Sequence, residues 1–146
     1  MDKWCYLIGT VALLSACAPA TYDDKYKEVF DPAQRAMEVW TDVHGDIEAK
    51  CVYAVEHAKF EVMSYASIEK QCGKGQIAAC TERVAVNSYF IALLNTEEGT
   101  SSITRAHELV HVLAFCSGDN DGDFDHEDDT WKILEPSEDF RIGSVN

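Results

Sequence analysis

Residues 101–118 read SSITRAHELVHVLAFCSG, and this stretch decides the fold that we expect. Ser101 or Ser102 offers a side-chain oxygen that can cap the first turn of a helix, and Gly118 is a residue type that readily ends one. Between them, apolar residues recur at the spacing of one helical face: Ile103, Ala106, Val110 and Leu113. The sequence therefore predicts a helix over residues 103–115, with its apolar face in the core.

The other side of this predicted helix carries His107, Glu108 and His111, in the pattern HExxH. Residues four apart on a helix lie nearly above one another, so both imidazoles project from one face and can bind the same tetrahedral zinc ion. Glu108 is turned by about 100° from His107, because an α-helix has 3.6 residues per turn. Its carboxylate then lies beside the metal and can accept a proton from water. We predict His107 and His111 as metal ligands and Glu108 as the catalytic base.

A catalytic zinc ion needs a third protein ligand, and the sequence offers several after the motif. The candidates are Asp119, Asp125, His126, Glu135 and Glu138. We predict His126, because it is the only histidine after the motif and imidazole is the commonest partner for such a pair. The two remaining histidines, His44 and His57, are assigned to a helix end and a turn.

A second helix is well marked near the start of the chain. Asp31 can cap it, Pro32 suits its first turn and Gly45 can end it. Alternating apolar residues after this helix predict two strands, over residues 47–55 and 58–62, with a turn between them. We therefore expect helical and strand segments in the same chain.

The middle of the chain is less regular. Residues 76–80 and 83–86 fit two short strands, whereas residues 70–74 and 95–102 are predicted loops. Residues 89–94, YFIALL, form a continuous apolar run whose periodicity fits either a strand or a helix. These segments add a sheet of several short strands to the two predicted helices.

The motif and its surroundings resemble a known family. HELVHVL at residues 107–113, the acidic segment after it and DHEDDTWKILEP at residues 125–136 resemble small metzincin-related proteases, and residues 31–45 are similar to the first helix of matrixin-type zincins. The resemblance implies an α+β, small zincin-like domain with an N-terminal helix, a mixed β-sheet and an HExxH active-site helix. It also implies a zinc-dependent metallopeptidase acting on a peptide or protein substrate, with Glu108 accepting a proton from water. Tyr89 is a candidate donor to the oxyanion.

The chain departs from the metzincin pattern at several positions. Ala114 and Ser117 stand where that family has a glycine and its third histidine, and His126 comes fifteen residues after the second histidine of the motif. The methionine usual in the family's turn is absent. A closer likeness to the gluzincins would make the third ligand an acid such as Glu135 or Glu138. The two histidines of the motif and its glutamate keep their roles under either resemblance.

The first residues have the layout of a secretory signal. Residues 1–17 read MDKWCYLIGTVALLSAC, with Lys3 before an apolar run and small residues after it. The run is too short to span a bilayer as a mature helix. Leu14-Ser15-Ala16-Cys17 resembles the lipobox of bacterial lipoproteins, which implies that Cys17 becomes the acylated first residue of the mature chain.

These features predict an exported protein with three segments. They are a lipoprotein signal peptide over residues 1–16, a tether over residues 17–30 and a zincin-like domain over residues 31–146. Acyl chains on the terminal cysteine would attach the protein lastingly to a membrane. Ala18 after that cysteine favours, by family analogy, the bacterial outer membrane, with the domain on its periplasmic or outer face.

Four cysteines remain after Cys5 leaves with the signal and Cys17 is acylated: Cys51, Cys72, Cys80 and Cys116. An even number in an oxidising compartment predicts two disulfides, with three possible pairings. The short segment between Cys72 and Cys80 favours a bond that closes it, which leaves Cys51 with Cys116.

The composition is strongly acidic. A formal net charge of −14 disfavours nucleic acid as a partner, because both would be anionic. The acid is concentrated in GDNDGDFDHEDD at residues 118–129, where alternating aspartates resemble the start of a calcium loop. The spacing does not match an EF-hand, so an irregular Ca²⁺ site over Asp119–Asp128 and a solvated acidic loop both stay open.

A second hypothesis is a non-catalytic, structural lipoprotein that binds zinc or calcium and keeps a zincin-like fold. The short mature chain favours this alternative, because little sequence is left to build the wall of a substrate cleft beyond the zinc helix.

Overall fold

The computed structural model describes residues 22–75 and 77–135. Within these ranges the chain forms seven helices and three strands. The helices are α1 (Tyr22–Lys27), α2 (Pro32–His44), α3 (Ala49–Glu56), α4 (Tyr65–Cys72), α5 (Glu97–Thr100), α6 (Ser102–Cys116) and α7 (Asp129–Leu134). The strands are β1 (Lys59–Met63), β2 (Ala79–Ala85) and β3 (Ser88–Leu94). The prediction of a mixed α+β fold is confirmed.

The three strands form one mixed sheet in the order β1-β3-β2. β3 lies in the centre, parallel to β1 and antiparallel to β2. The apolar run 89–94 is this central strand, with Ile91, Ala92 and Leu93 fully buried. A continuous apolar run is what a strand buried on both faces requires.

Helix α6 is the core of the domain, and the helix predicted from HExxH is confirmed. Ser101 caps it by accepting a hydrogen bond from the Thr104 amide, and Gly118 follows its end with φ +107°. Helices α2 and α3 and strand β2 pack around it. Ten of its residues are buried, which include both the apolar stripe and part of the motif. The helix is therefore enclosed, rather than apolar on one side and solvated on the other.

Helix α2 also forms where its capping and terminating residues predict. The Asp31 carboxylate accepts hydrogen bonds from the amides of Ala33 and Gln34, at 3.0 and 3.3 Å. Gly45 ends the helix with φ +80°, a left-handed conformation that suits glycine. Trp40 faces the core.

The strand predicted over residues 47–55 is wrong, because most of this segment forms helix α3. Its buried residues are Cys51, Ala54 and Val55, which are spaced as one face of a helix, while Tyr53 is exposed. The alternating pattern counted Tyr53 as a core residue. The neighbouring strand prediction, 58–62, is confirmed by β1.

Three other segments differ from the predictions, and one of them is the predicted loop 70–74, whose first three residues belong to helix α4. The separate short strands expected around residues 76–86 are one strand, β2, and the predicted polar loop 95–102 contains the short helix α5. Gly99 in α5 lies so close to the Leu94 carbonyl that a Cβ there would be 2.1 Å from its oxygen. Only glycine fits this approach of α5 to the end of β3.

The described part of the chain contains two disulfides, Cys51–Cys116 and Cys72–Cys80. This is the pairing that the short-loop argument favours. Cys51–Cys116 joins α3 to the last residue of α6 across 65 positions of sequence, and Cys72–Cys80 joins α4 to β2 across 8. The first bond therefore ties α6 itself to α3, and the second ties α4 to β2, which packs on α6.

The segment predicted as a tether contacts the domain before residue 31. Tyr26 in α1 is buried and its hydroxyl donates to Glu98 at 3.3 Å, while the Phe30 amide donates to Ser102 Oγ at 3.3 Å. The signal-peptide region and Cys17 lie outside the described residues. Within the described ranges, no helix has both the length and the apolar character needed to cross a bilayer.

Candidate metal centre

Helix α6 presents His107 and His111 on one face, as their spacing predicts. Their ring centroids are 5.1 Å apart. His107 is buried, with 7% of its surface exposed, and His111 is partly buried. Both rings are thus held within the packed domain, one helical turn apart.

The chain after α6 brings His126 back over this helix. We call residues 117–128 the ligand loop. Four of its residues have positive φ: Gly118, Gly122, Asp123 and His126. The Asp123 carboxylate accepts hydrogen bonds from the amides of Glu127 and Asp128, at 3.2 and 3.0 Å, and from the indole of Trp131. These bonds close a tight turn around His126, because a carboxylate three residues before it binds donors that follow it.

The three histidines converge on one point. One nitrogen of each lies within 4.8 Å of the others, and the Nε2 atoms of His111 and His126 are 3.0 Å apart. Ligands about 2.05 Å from a tetrahedral zinc ion are about 3.3 Å from one another. The observed spacing needs only small side-chain shifts to reach this value. Among the described residues, this is the only group of three or more metal-binding side chains brought so close together.

Contacts behind two of the rings favour metal binding. His111 Nδ1 lies 2.6 Å from the Gly122 carbonyl, and His107 Nδ1 lies 3.3 Å from Glu135 Oε2. In the tautomer that carries hydrogen on Nδ1, the His111 ring donates to the Gly122 carbonyl and leaves its Nε2 lone pair for a metal. The contact between His107 and Glu135 is close but does not have the geometry of a hydrogen bond. Glu135 therefore lies behind a ligand and is not itself in the group of converging donors.

Burial keeps the histidines neutral, which is the form that binds metals. Burial, with a smaller contribution from Lys25, lowers the pKa of His107 to about 3, and burial lowers that of His126 to about 4 against the opposing charges of Glu135 and Asp123. Burial also lowers the pKa of His111 well below its usual value, against the effect of its hydrogen bond to Gly122. A neutral imidazole can donate its lone pair to a metal without first losing a proton.

Trp131 from α7 forms the floor of the centre. Its ring centroid lies 4.6 Å from those of His107 and His111 and 4.5 Å from that of His126. The indole is buried and is held by Asp123 of the ligand loop. One aromatic ring thus supports all three imidazoles.

Glu108 lies on the side of α6 that faces β2. It is 5% exposed, and its Oε2 accepts a hydrogen bond of 2.7 Å from the Thr81 hydroxyl. Burial raises its pKa to about 7; the Thr81 hydrogen bond opposes the rise, and the charge of Glu135 adds to it. Such a carboxyl group changes protonation near neutral pH, as a general base must.

The described acidic side chains around His126 form no group of three that could hold one ion. Asp119 and Asp121 each accept the amide of the residue two positions on, at 3.2 and 3.0 Å. Asp128 caps α7 through the Thr130 amide and lies 2.9 Å from His44. Within the described ranges, the predicted Ca²⁺ segment Asp119–Asp128 contains no group of three carboxylates placed to bind one ion.

The remaining predicted residues are placed as follows. Tyr89 is in the hydrophobic core, where its ring packs against Phe115. His57 is exposed and contacts the Tyr53 carbonyl. Glu138 lies outside the described residues.

Sequence reasoning missed four residues of the centre: Thr81, Gly122, Asp123 and Trp131. The left-handed φ of Gly122 places its backbone against the Phe115 ring, where an added Cβ would be 2.5 Å from a ring carbon. The residue types of Gly122 and Asp123 indicate a turn, because glycine and aspartate are both common in turns. No local sequence pattern identifies Thr81 or Trp131, because their roles depend on contacts between distant segments.

Comparisons with known proteins identify no relative of this chain. No family model matches the chain, no curated protein matches its sequence, and no solved structure matches its fold.

Proposed function

We propose that this chain is a zinc-dependent metallopeptidase of the zincin type. The observation that carries the proposal is the convergence of His107, His111 and His126, with ligand atoms within 4.8 Å, on a helix that also carries the buried carboxyl group of Glu108. Three histidines that leave a fourth position open are typical of catalytic zinc sites. The metal-binding geometry supports a metal centre, and the HExxH motif favours zinc.

The three histidines would hold the ion, with His107 and His111 oriented by the groups behind them. When bound, zinc would polarise the carbonyl of a substrate amide and lower the pKa of water. Glu108 would accept the proton from water and return it to the leaving amine. Its pKa of about 7 suits both steps, because the group can take up and release a proton near neutral pH.

The position of β2 supports a peptide as the substrate. Within the described residues β2 pairs only with β3 and is therefore an edge strand, and it carries Thr81, the partner of Glu108. An extended peptide can add to such an edge through main-chain hydrogen bonds. This would place the peptide's carbonyl groups along the side of the centre where the base lies.

The first test is the metal content and activity of the purified chain. After dialysis against metal-free buffer, we expect about one zinc per chain by elemental mass spectrometry. We then expect cleavage of a peptide library, and a loss of roughly a hundredfold or more in rate for Glu108→Gln with zinc retained. Exposed His57 offers the control His57→Gln, which should keep both properties.

The outcomes separate the alternatives. Zinc binding without cleavage of any peptide would favour the non-catalytic metal-binding protein. A folded chain that binds no zinc would exclude the peptidase.

We also propose that the protein is exported and attached through acylated Cys17 to the bacterial outer membrane. The lipobox-like sequence Leu14–Cys17 supports this proposal. Labelling of cells with a fatty-acid analogue should mark the wild-type chain but not Cys17→Ser. A wild-type chain that takes up no label would exclude the lipid anchor.

A further inference from the structure

A chain of close polar contacts links the N-terminal helix α1 to the metal centre. Lys25 Nζ lies 3.9 Å from Glu135 Oε1, and the other oxygen of this carboxyl group lies 3.3 Å from His107 Nδ1. The three residues come from the first described helix, the end of α7 and the centre of α6. The contacts therefore join both ends of the described chain at one metal ligand.

The middle member of this chain is deeply buried. The side chain of Glu135 is 3% exposed, that of His107 9% and that of Lys25 20%. A carboxylate removed from water is destabilised unless charged or hydrogen-bonding partners compensate it. Lys25 brings such a partner from the side opposite His107.

Helix α1 holds Lys25 in place through its own packing. The next residue, Tyr26, is part of the hydrophobic core and its hydroxyl donates to Glu98. The Phe30 amide, shortly after the helix, donates to Ser102 at the start of α6. Lys25 is thus fixed relative to α6 and does not belong to a loose leading segment.

We propose that Lys25 is a positioning residue of the metal centre. Its ammonium group stabilises the Glu135 carboxylate against His107 Nδ1, and this contact holds the imidazole with Nε2 directed toward the metal. The inference rests on the proposed metal centre and extends it to a residue before the predicted domain boundary. Helix α1 then contributes to metal binding through Lys25. A chain that began at residue 31 would therefore bind metal weakly.

The experiment measures the zinc affinity of the full chain by competition with a chromophoric chelator. Loss of a group behind a metal ligand weakens metal binding by roughly tenfold to a hundredfold, and we expect Lys25→Met to have this effect. Lys27→Met is the matched control, because it removes the same charge from an exposed position of the same helix. Lys25→Arg keeps the charge and should recover most of the affinity.

A double-mutant cycle tests whether Lys25 acts through Glu135. Glu135→Gln alone should weaken zinc binding, and Lys25→Met should add little in that background, because the carboxylate it stabilises is gone. Additive effects would show that Lys25 acts by another route. A wild-type affinity in Lys25→Met would overturn the inference and leave the metal centre standing.

A second readout needs no metal. Nitrogen-15 spectra of the metal-free chain report which ring nitrogen of His107 carries hydrogen. We expect hydrogen on Nδ1 in the wild type and a shift toward Nε2 in Lys25→Met, with Lys27→Met unchanged. If the wild type binds no zinc, the proposed function fails, and these spectra still decide whether Lys25 orients His107. An unchanged His107 ring in Lys25→Met would refute that role.

Discussion

Helix α6 and the ligand loop hold their histidines by different means. In α6, periodicity places His107 and His111 one turn apart, and burial of the whole helix fixes their rings. In the ligand loop, His126 is placed by positive φ angles and by carboxylates that bind backbone amides near a solvent-exposed surface. The helix thus contributes rigidity at the expense of burying titratable groups, whereas the loop buries few polar groups and depends on individual hydrogen bonds. Substitutions in the helix and in the ligand loop should therefore have different effects on zinc binding and stability.

Removal of a ligand from the helix should have the largest effect. His111→Ala leaves two converging imidazoles, and no other described side chain is placed to replace the third. We expect zinc to fall from about one ion per chain to near zero after dialysis, as measured by elemental mass spectrometry. Retention of zinc by His111→Ala, with His57→Gln as the control, would mean that other residues form the site.

Glu108→Gln should reveal the electrostatic penalty of burial in the helix. The folded state raises the pKa of Glu108 from 4.5 to about 7, so between these pH values the folded chain binds a proton that the unfolded chain releases. The wild type therefore loses stability as the pH rises through this window, by about 3 kcal/mol in total. Glutamine resembles the neutral acid and avoids this loss.

Urea denaturation in the presence of a chelator measures the effect. Glu108→Gln should be more stable than the wild type at pH 8 and similar to it at pH 4.5. Glu127→Gln, at an exposed position of the ligand loop, is the control. A stability difference that does not change with pH would contradict the assigned cause.

Asp123→Asn should weaken the loop part of the centre by a smaller amount. Asparagine retains one acceptor oxygen but replaces the other with an NH₂ group, which cannot accept the hydrogen bonds that the second carboxylate oxygen accepts in the wild type. These donors are the Asp128 amide and the Trp131 indole. We expect zinc affinity to fall roughly tenfold in a chelator competition. Asp125→Asn changes the same charge at an exposed position, and an equal loss there would show that charge, not loop geometry, is responsible.

Calcium should have the smallest effect. The carboxylates of Asp119 and Asp121 accept backbone amides, and the described acidic residues form no cluster of three that could bind an ion. We expect millimolar calcium to leave the melting temperature of the metal-free chain nearly unchanged in calorimetry. A rise of several degrees would show that the ligand loop is itself a cation site.

The predictable parts of the molecule are those fixed by local rules. The caps of α2 and α6, the pair His107 and His111 and the buried strand β3 follow from side-chain capping, helical period and apolar runs. Each of these rules acts within a few residues of sequence. The angle of about 100° between Glu108 and His107 around the helix follows from the same period.

The wrong strand prediction shows what short-range sequence patterns cannot determine. Residues 47–55 alternate like a strand, yet α3 buries Cys51, Ala54 and Val55 and leaves Tyr53 exposed. The helix is chosen by its packing on α6 and by the disulfide to Cys116, neither of which appears in a short window of sequence. Thr81 and Trp131 were missed for the same reason, since each meets the centre from a distant element.

Trp131 also gives the protein an optical reporter of its own metal state. Its ring lies within 4.6 Å of all three imidazoles, whereas Trp40 is stacked on His44 in α2. An open-shell ion such as Cu²⁺ or Co²⁺ bound by the histidines would quench the emission of this indole by energy or electron transfer, and closed-shell Zn²⁺ would not. Fluorescence of the unlabelled chain could therefore follow the exchange of one ion for another in real time.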